Sequence, residues 1–241
     1  MSISLLAHRG FWKIKKEKNT LEAFWKALDQ GCGIETDLRD FNQKLVISHD
    51  PASPKSISAK RIFSKLSTHP SFRKVLFAFN IKADGLQEWV KALIEKFGLK
   101  NNSFIFDMSA PTHYGYSFYL PRKNIGTRWS DFESTPLFLE KSAYIWMDQF
   151  ETFKNDIEKI KKWQNQSKRI CFVSPELHHH DPEPLWQWLE RFFLKDKKTV
   201  WLCTDLVEMA KKRFNVSGGL KRSYSISTAS SWMPRNGIMK R

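Results

Sequence analysis

Residues 3–10 read Ile-Ser-Leu-Leu-Ala-His-Arg-Gly, residues 33–38 Gly-Ile-Glu-Thr-Asp-Leu, and residues 45–50 Leu-Val-Ile-Ser-His-Asp. Each is a short apolar run that ends in residues able to do chemistry. Glu35 and Asp37 stand two apart on an expected strand, so both side chains point to one face. Two adjacent carboxylates repel each other unless something cationic lies between them. A hard divalent ion, Mg²⁺ or Ca²⁺, prefers oxygen ligands and meets that need. Ion pairs to Arg39 or another base are the plainer alternative. His8 and His49 suit proton transfer, and Arg9 suits an anionic oxygen, phosphate above all. The three runs together point to metal-assisted chemistry on a phosphate ester.

Outward from these runs, the rest of the chain repeats the same architecture. Further short apolar runs lie at 75–81, 104–106, 125–128, 143–147, 170–173 and 200–202, most of them separated by helical patterns such as 186–193. Such alternation indicates a parallel sheet with right-handed crossovers. With 45–48 counted as an extra strand on the second unit, there are eight units. The polar residues of interest stand at strand C-termini, where a (β/α)₈ TIM barrel assembles its active site. No glycine-rich dinucleotide loop follows the first strand, which disfavours an open doubly wound sheet. The stretch 51–70, polar and lysine-rich, reads more as loop and short helix than as core. Asn19 or Thr20 caps the first helix, and the lysines between Phe11 and Lys18 are expected to border the site.

Bulk properties fit one large α/β domain. The chain has 241 residues, 41% of them hydrophobic, with 10 Trp and 19 Phe to build a core. No apolar run is long enough to span a bilayer. The sequence runs from Met1 directly into a strand-like segment, leaving no room for a signal peptide, and Cys32, Cys171 and Cys203 show no metal spacing. A cytoplasmic protein is expected. Net charge is +15, which favours anionic partners. No acidic residue follows Glu208, while eight basic ones do. The expected organisation is therefore a barrel over 1–214 and a flexible, basic, Ser-rich tail over 215–241, able to touch an anionic membrane surface.

His8-Arg9-Gly10, Asn19-Thr20 with Ala23-Phe24, Glu35-Thr36-Asp37-Leu38 and Ser48-His49-Asp50 match, in order and spacing, the glycerophosphodiester phosphodiesterase family, which the chain resembles from about Leu5 to about Asp205. The resemblance implies a TIM barrel, a divalent metal and a phosphodiester substrate: a deacylated or lyso-phospholipid, or a phosphodiester-linked glycan. It implies His8 and His49 as general base and acid, in an order left open. Where the family has a third acidic ligand in Glu-x-Lys, this chain has Asn80-Ile81-Lys82. The implied metal set is Glu35 and Asp37 with Asn80 or Asp107, and Arg9 and Lys82 hold the phosphate. Two alternatives stand beside this reading: cleavage of a phosphoinositide in the manner of a phospholipase C, and phosphoester binding without turnover. No nucleic-acid partner is expected. His178-His179-His180 invites a zinc reading, but consecutive residues cannot all aim at one ion, and a loop at the barrel mouth is the preferred one. Trp129, Trp146 and Phe150 read either as core or as a wall for a sugar or lipid.

Overall fold

A computed structural model describes residues 3–151, 156–193 and 200–216. Its strands are β1 (Ile3–His8), β2 (Gly33–Phe41), β3 (Lys44–Ile47), β4 (Ile57–Ser58) and β5 (Phe77–Ile81). They continue with β6 (Ser103–Phe106), β7 (Gly126–Ser130), β8 (Tyr144–Asp148), β9 (Arg169–Val173) and β10 (Val200–Thr204). All but β3 and β4 run parallel, in the ring order β1, β2, β5, β6, β7, β8, β9, β10 and back to β1. The β6–β7 junction is a single parallel bridge between Ile105 and Ile125, and the others are ladders. This is the (β/α)₈ barrel that the alternation predicts.

The additional run at 45–48 returns antiparallel along β2, pairing Leu38 with Ile47. Its two-residue turn, Asn42-Gln43, takes positive φ at both positions (46° and 57°). That is the left-handed pair a tight hairpin requires, and asparagine tolerates it best among non-glycine residues. The short β4 then adds to β3.

Strand alternation divides the core in two. Inward-facing Leu6, Ala78, Phe104, Phe106, Tyr144, Trp146, Cys171, Val173 and Cys203 fill the barrel. Phe104 stacks on Tyr144 at 4.0 Å and Phe106 on Trp146 at 3.9 Å. Trp146 is thus core, and so is Trp129, buried in the outer layer; neither forms a wall for a ligand. The cysteines are free and buried.

The outer layer is built by α1 (Leu21–Asp29), α2 (Ala59–Leu66), α3 (Gln87–Lys96), α4 (Ala110–Tyr116), α5 (Ile157–Asn165), α6 (Glu183–Phe193) and α7 (Val207–Phe214). Here the reading of 51–70 as non-core needs correction. Ala59, Ile62, Phe63 and Leu66 are all buried, a helical i, i+3, i+4, i+7 stripe. Phe63 sits among Phe72, Phe77, Phe79 and Phe97, with centroids 5.6–6.3 Å away. Truncating such a side chain costs about 3–5 kcal/mol. Of the expected tail, Asn215 and Val216 are described: Asn215 ends α7 in the left-handed conformation, and Val216 packs on the core. The rest lies outside the described residues. No described helix is long and apolar enough to cross a membrane.

Candidate active site

The C-terminal end of β1 turns sharply. Arg9 has φ 55° and Gly10 φ 90°, and a Cβ on Gly10 would lie 2.8 Å from the Ala23 backbone. Only glycine fits there, because it alone combines positive φ with the absence of a side chain. The turn aims the Arg9 amide at the Glu35 carboxylate (3.2 Å to Oε2) and sets its guanidinium against Asp37, Nε to Oδ2 3.0 Å. His8 is held from the neighbouring strand, its Nδ1 lying 2.7 Å from Oδ1 of Asp205, which directly follows β10. Burial depresses the His8 pKa more than the hydrogen bond and charge of Asp205 raise it. A neutral ring that donates Nδ1–H to ionised Asp205 leaves the Nε2 lone pair free, and this nitrogen faces Glu35 Oε2 at 3.9 Å.

Glu35 and Asp37 are almost fully buried, at 2% and 0% exposure. Burial first, and the Asp37 charge second, push the Glu35 carboxyl well above its usual range. Asn19 orients the pair: its Nδ2 donates to Asp37 Oδ2 (2.8 Å), while its Oδ1 accepts from Thr36 (2.8 Å). Thr20, not Asn19, caps α1 by accepting from Ala23 N. Asn19 is therefore a positioning residue for Asp37, which its place beside a helix cap obscures in the sequence.

Asn80 sits in register with Asp37 on the neighbouring strand. Asn80 Oδ1 and Asp37 Oδ1 are both buried without a hydrogen-bond partner, as is Oε2 of Glu176, whose Oε1 accepts from the Asp205 amide at 3.1 Å. Buried acceptors left without donors are uncommon and invite a cation or water. Lys82 Nζ lies 3.8 Å from Asp37 Oδ1 and 3.4 Å from Asp107 Oδ2. Asp107 in turn pairs with Arg128, which also grips Glu133. Its two oxygens thus each face a cation of the protein. Arg128, unremarked in the sequence, is what occupies this side of the mouth.

His49 stands on the rim, its side chain 43% exposed, with Nδ1 2.8 Å from Asp50 Oδ1. Both histidines therefore have an aspartate on Nδ1 and an uncommitted Nε2. A cleft of about 350 Å³ runs beside His49, lined by Arg9, Asn19, Lys15, Lys18 and Lys55 among others, so the lysine loop does border the site. Lys18 also pairs with Asp205 at 3.2 Å. The histidine triplet is spent differently: His178 Nε2 meets Asp148 Oδ1 at 2.6 Å, and His180 bonds the Phe150 carbonyl. Among the described residues, no cluster of three or more His, Cys, Asp or Glu could hold a metal.

No family model and no curated protein matches the chain. Solved structures do. A glycerophosphodiester phosphodiesterase from Parabacteroides distasonis superposes with TM-score 0.69 at 14% identity, over 89% of this chain and 97% of that one. One from Agrobacterium tumefaciens gives 0.62 at 14%, over 85% and 96%. A Ca²⁺-dependent phosphatidylinositol-specific phospholipase C from Streptomyces antibioticus gives 0.56 at 10%, over 88% and 96%. At such identities the likeness shows the fold: a barrel of the kind shared by glycerophosphodiesterases and this phospholipase C. The fold that the motif resemblance implies is the fold that these structures share.

Proposed function

We propose that the protein is a metal-dependent phosphodiesterase acting on glycerophosphodiester-type substrates. The observation that carries this reading is His8, held through Nδ1 by Asp205, beside the buried Glu35–Asp37 pair at the barrel mouth. Arg9 and Lys82 both lie against Asp37, and in this reading they meet the phosphoryl group, since preorganised cations stabilise charge that builds in the transition state. His8 and His49, each oriented by an aspartate, take a proton from the attacking oxygen and return one to the leaving alcohol. Which of the two does which is decided by the pose of the substrate. The attacking oxygen is a water or a neighbouring hydroxyl of the substrate; the latter would give a cyclic phosphate first.

The oxygen set fits a hard divalent ion. Glu35, Asp37 Oδ1 and Asn80 Oδ1 are buried, are all oxygen donors, and include two atoms with no hydrogen-bond partner. These residues would hold Mg²⁺ or Ca²⁺, which supplies Lewis-acid polarisation of a phosphoryl oxygen. Asp107, neutralised by Lys82 and Arg128, instead fixes Lys82 against the phosphate. Hydrolysis of a panel of glycerophosphodiesters with and without EDTA tests the reading. Turnover that is abolished by EDTA and restored by Mg²⁺ or Ca²⁺ is expected. Cleavage confined to phosphoinositides would favour the phospholipase C alternative, and binding without hydrolysis at millimolar metal would favour a binding protein.

A further inference from the structure

The cleft beside His49 contains more positive charge than one phosphodiester requires. Its charged lining is Arg9, Lys15, Lys18 and Lys55 against Asp50. Three of these charges are already committed: Arg9 to Asp37, Lys18 to Asp205, and Asp50 to His49. Lys15 and Lys55 remain, each exposed and, among the described residues, without an ion pair. They come from different parts of the chain. Lys15 opens a helical turn at Lys15–Glu17 after β1, and Lys55 lies in the loop between β3 and β4. Two ammonium groups that line one cleft from separate loops can both attract an anion bound in it.

The volume of about 350 Å³ lies in the range of small-molecule pockets, ~300–1,000 Å³. It suits a group the size of a sugar or polyol phosphate. The cleft shares Arg9, Asn19 and His49 with the candidate active site, so a ligand in it would be continuous with the scissile phosphate.

We propose that Lys15 and Lys55 form a second anion subsite, which selects phosphodiesters whose other alcohol carries a phosphomonoester. A phosphomonoester is close to a dianion at neutral pH, matching two ammonium charges. A cationic alcohol such as choline would be repelled, and a neutral one left without contacts. This rests on the phosphodiesterase reading.

The test compares kcat/KM for glycerophosphoinositol 4-phosphate, glycerophosphoinositol and glycerophosphocholine, at low and high salt. The phosphorylated diester should be preferred about tenfold over its unphosphorylated counterpart, the sum of two exposed ion pairs, and the preference should shrink as salt screens it. Lys15→Gln/Lys55→Gln should bring the ratio close to one, and Lys15→Arg/Lys55→Arg should keep it. Equal turnover of both inositol diesters by the unmodified protein would overturn the subsite and leave the phosphodiesterase reading standing. If no diester is turned over at all, that reading fails. Calorimetric titration with inorganic phosphate then decides the subsite alone: several-fold weaker binding in the glutamine double variant upholds it, and equal binding overturns it.

Discussion

The two sides of the barrel mouth handle charge in opposite ways. On the β1–β2–β5 side, Glu35 and Asp37 are buried, Asp37 Oδ1 and Asn80 Oδ1 have no hydrogen-bond donor, and the Glu35 carboxyl is driven well up by burial and by Asp37. On the β6–β8 side the carboxylates Asp107, Glu133 and Asp148 are answered within the protein. Arg128 takes Asp107 and Glu133, and His178 takes Asp148. A barrel this well packed could have satisfied both sides. Leaving acceptors unpartnered costs about 1–3 kcal/mol each, so the unsatisfied side is where a ligand is expected to complete the structure, and the satisfied side is the frame that holds it. A conserved-looking cluster of polar residues is less informative than whether its atoms already have partners.

The sharpest way to break this contrast is to remove one histidine from each side. His8→Ala should lower turnover by at least ~10²-fold with the fold intact, the usual contribution of a positioned general acid or base. His178→Ala, which loses a contact to Asp148 but no substrate-facing group, should stay within about threefold. Circular dichroism establishes that both variants are folded, and steady-state rates then decide. Comparable losses in the two variants would mean that the β8 side takes part in the chemistry.

On the satisfied side, acid should act through a buried histidine. His113 on α4 is buried against Phe138 and meets Ser142 Oγ at 2.9 Å, and desolvation lowers its pKa to about 4. The unfolded histidine titrates near 6.5, so between about 6.5 and 4 the unfolded state binds a proton that the folded state does not. The stability associated with this group is therefore complete above about pH 6.5 and declines as pH falls, by about 2 kcal/mol at pH 5. Urea unfolding at pH 7 and pH 5 should show the drop, and His113→Gln, which cannot titrate, should lack that part of it. An identical drop in the variant would assign the acid sensitivity elsewhere.

Most of the fold was legible because it is written locally. Each barrel strand is a short apolar run, and each of His8, Glu35, Asp37, Asn80 and Asp107 closes or follows one. What escaped was either diluted or non-local. The apolar stripe of α2 is interleaved with Lys60, Arg61, Ser64 and Lys65, so its mean composition looks like loop although its spacing is helical. The Asp205–His8 contact joins residues 197 apart and exists only because β10 lies beside β1. Asn19 reads as a helix cap because asparagine does favour that position; only the three-dimensional turn shows its side chain holding Asp37. Arg128 gave no signal at all, being one arginine among many, until Asp107 and Glu133 were found on either side of it.

The smallest effect expected is also the one that separates the two sides at their boundary, where Asn80 and Asp107 end neighbouring strands. Asn80 Oδ1 is buried and unpartnered, whereas Asp107 is held by Lys82 and Arg128. If the ion lies on the unsatisfied side, Asn80→Asp adds one negative charge to its oxygen set at almost no change in volume. Metal binding by calorimetry should tighten about tenfold, equivalent to ~1.4 kcal/mol, and the metal concentration for half-maximal activity should fall with it. In the metal-free protein the same substitution places a third carboxylate beside Glu35 and Asp37, raising carboxyl pKa values and lowering stability, so the variant should depend on metal for its melting temperature more than the parent does. Asp107→Asn should shift metal affinity by less than about threefold, because the charge it removes is already balanced by protein cations; its cost should appear as weaker phosphate binding through a loosened Lys82. A collapse of metal binding in Asp107→Asn with no response in Asn80→Asp would move the ion across the boundary, and the unpartnered oxygen of Asn80 would then have to be satisfied by water.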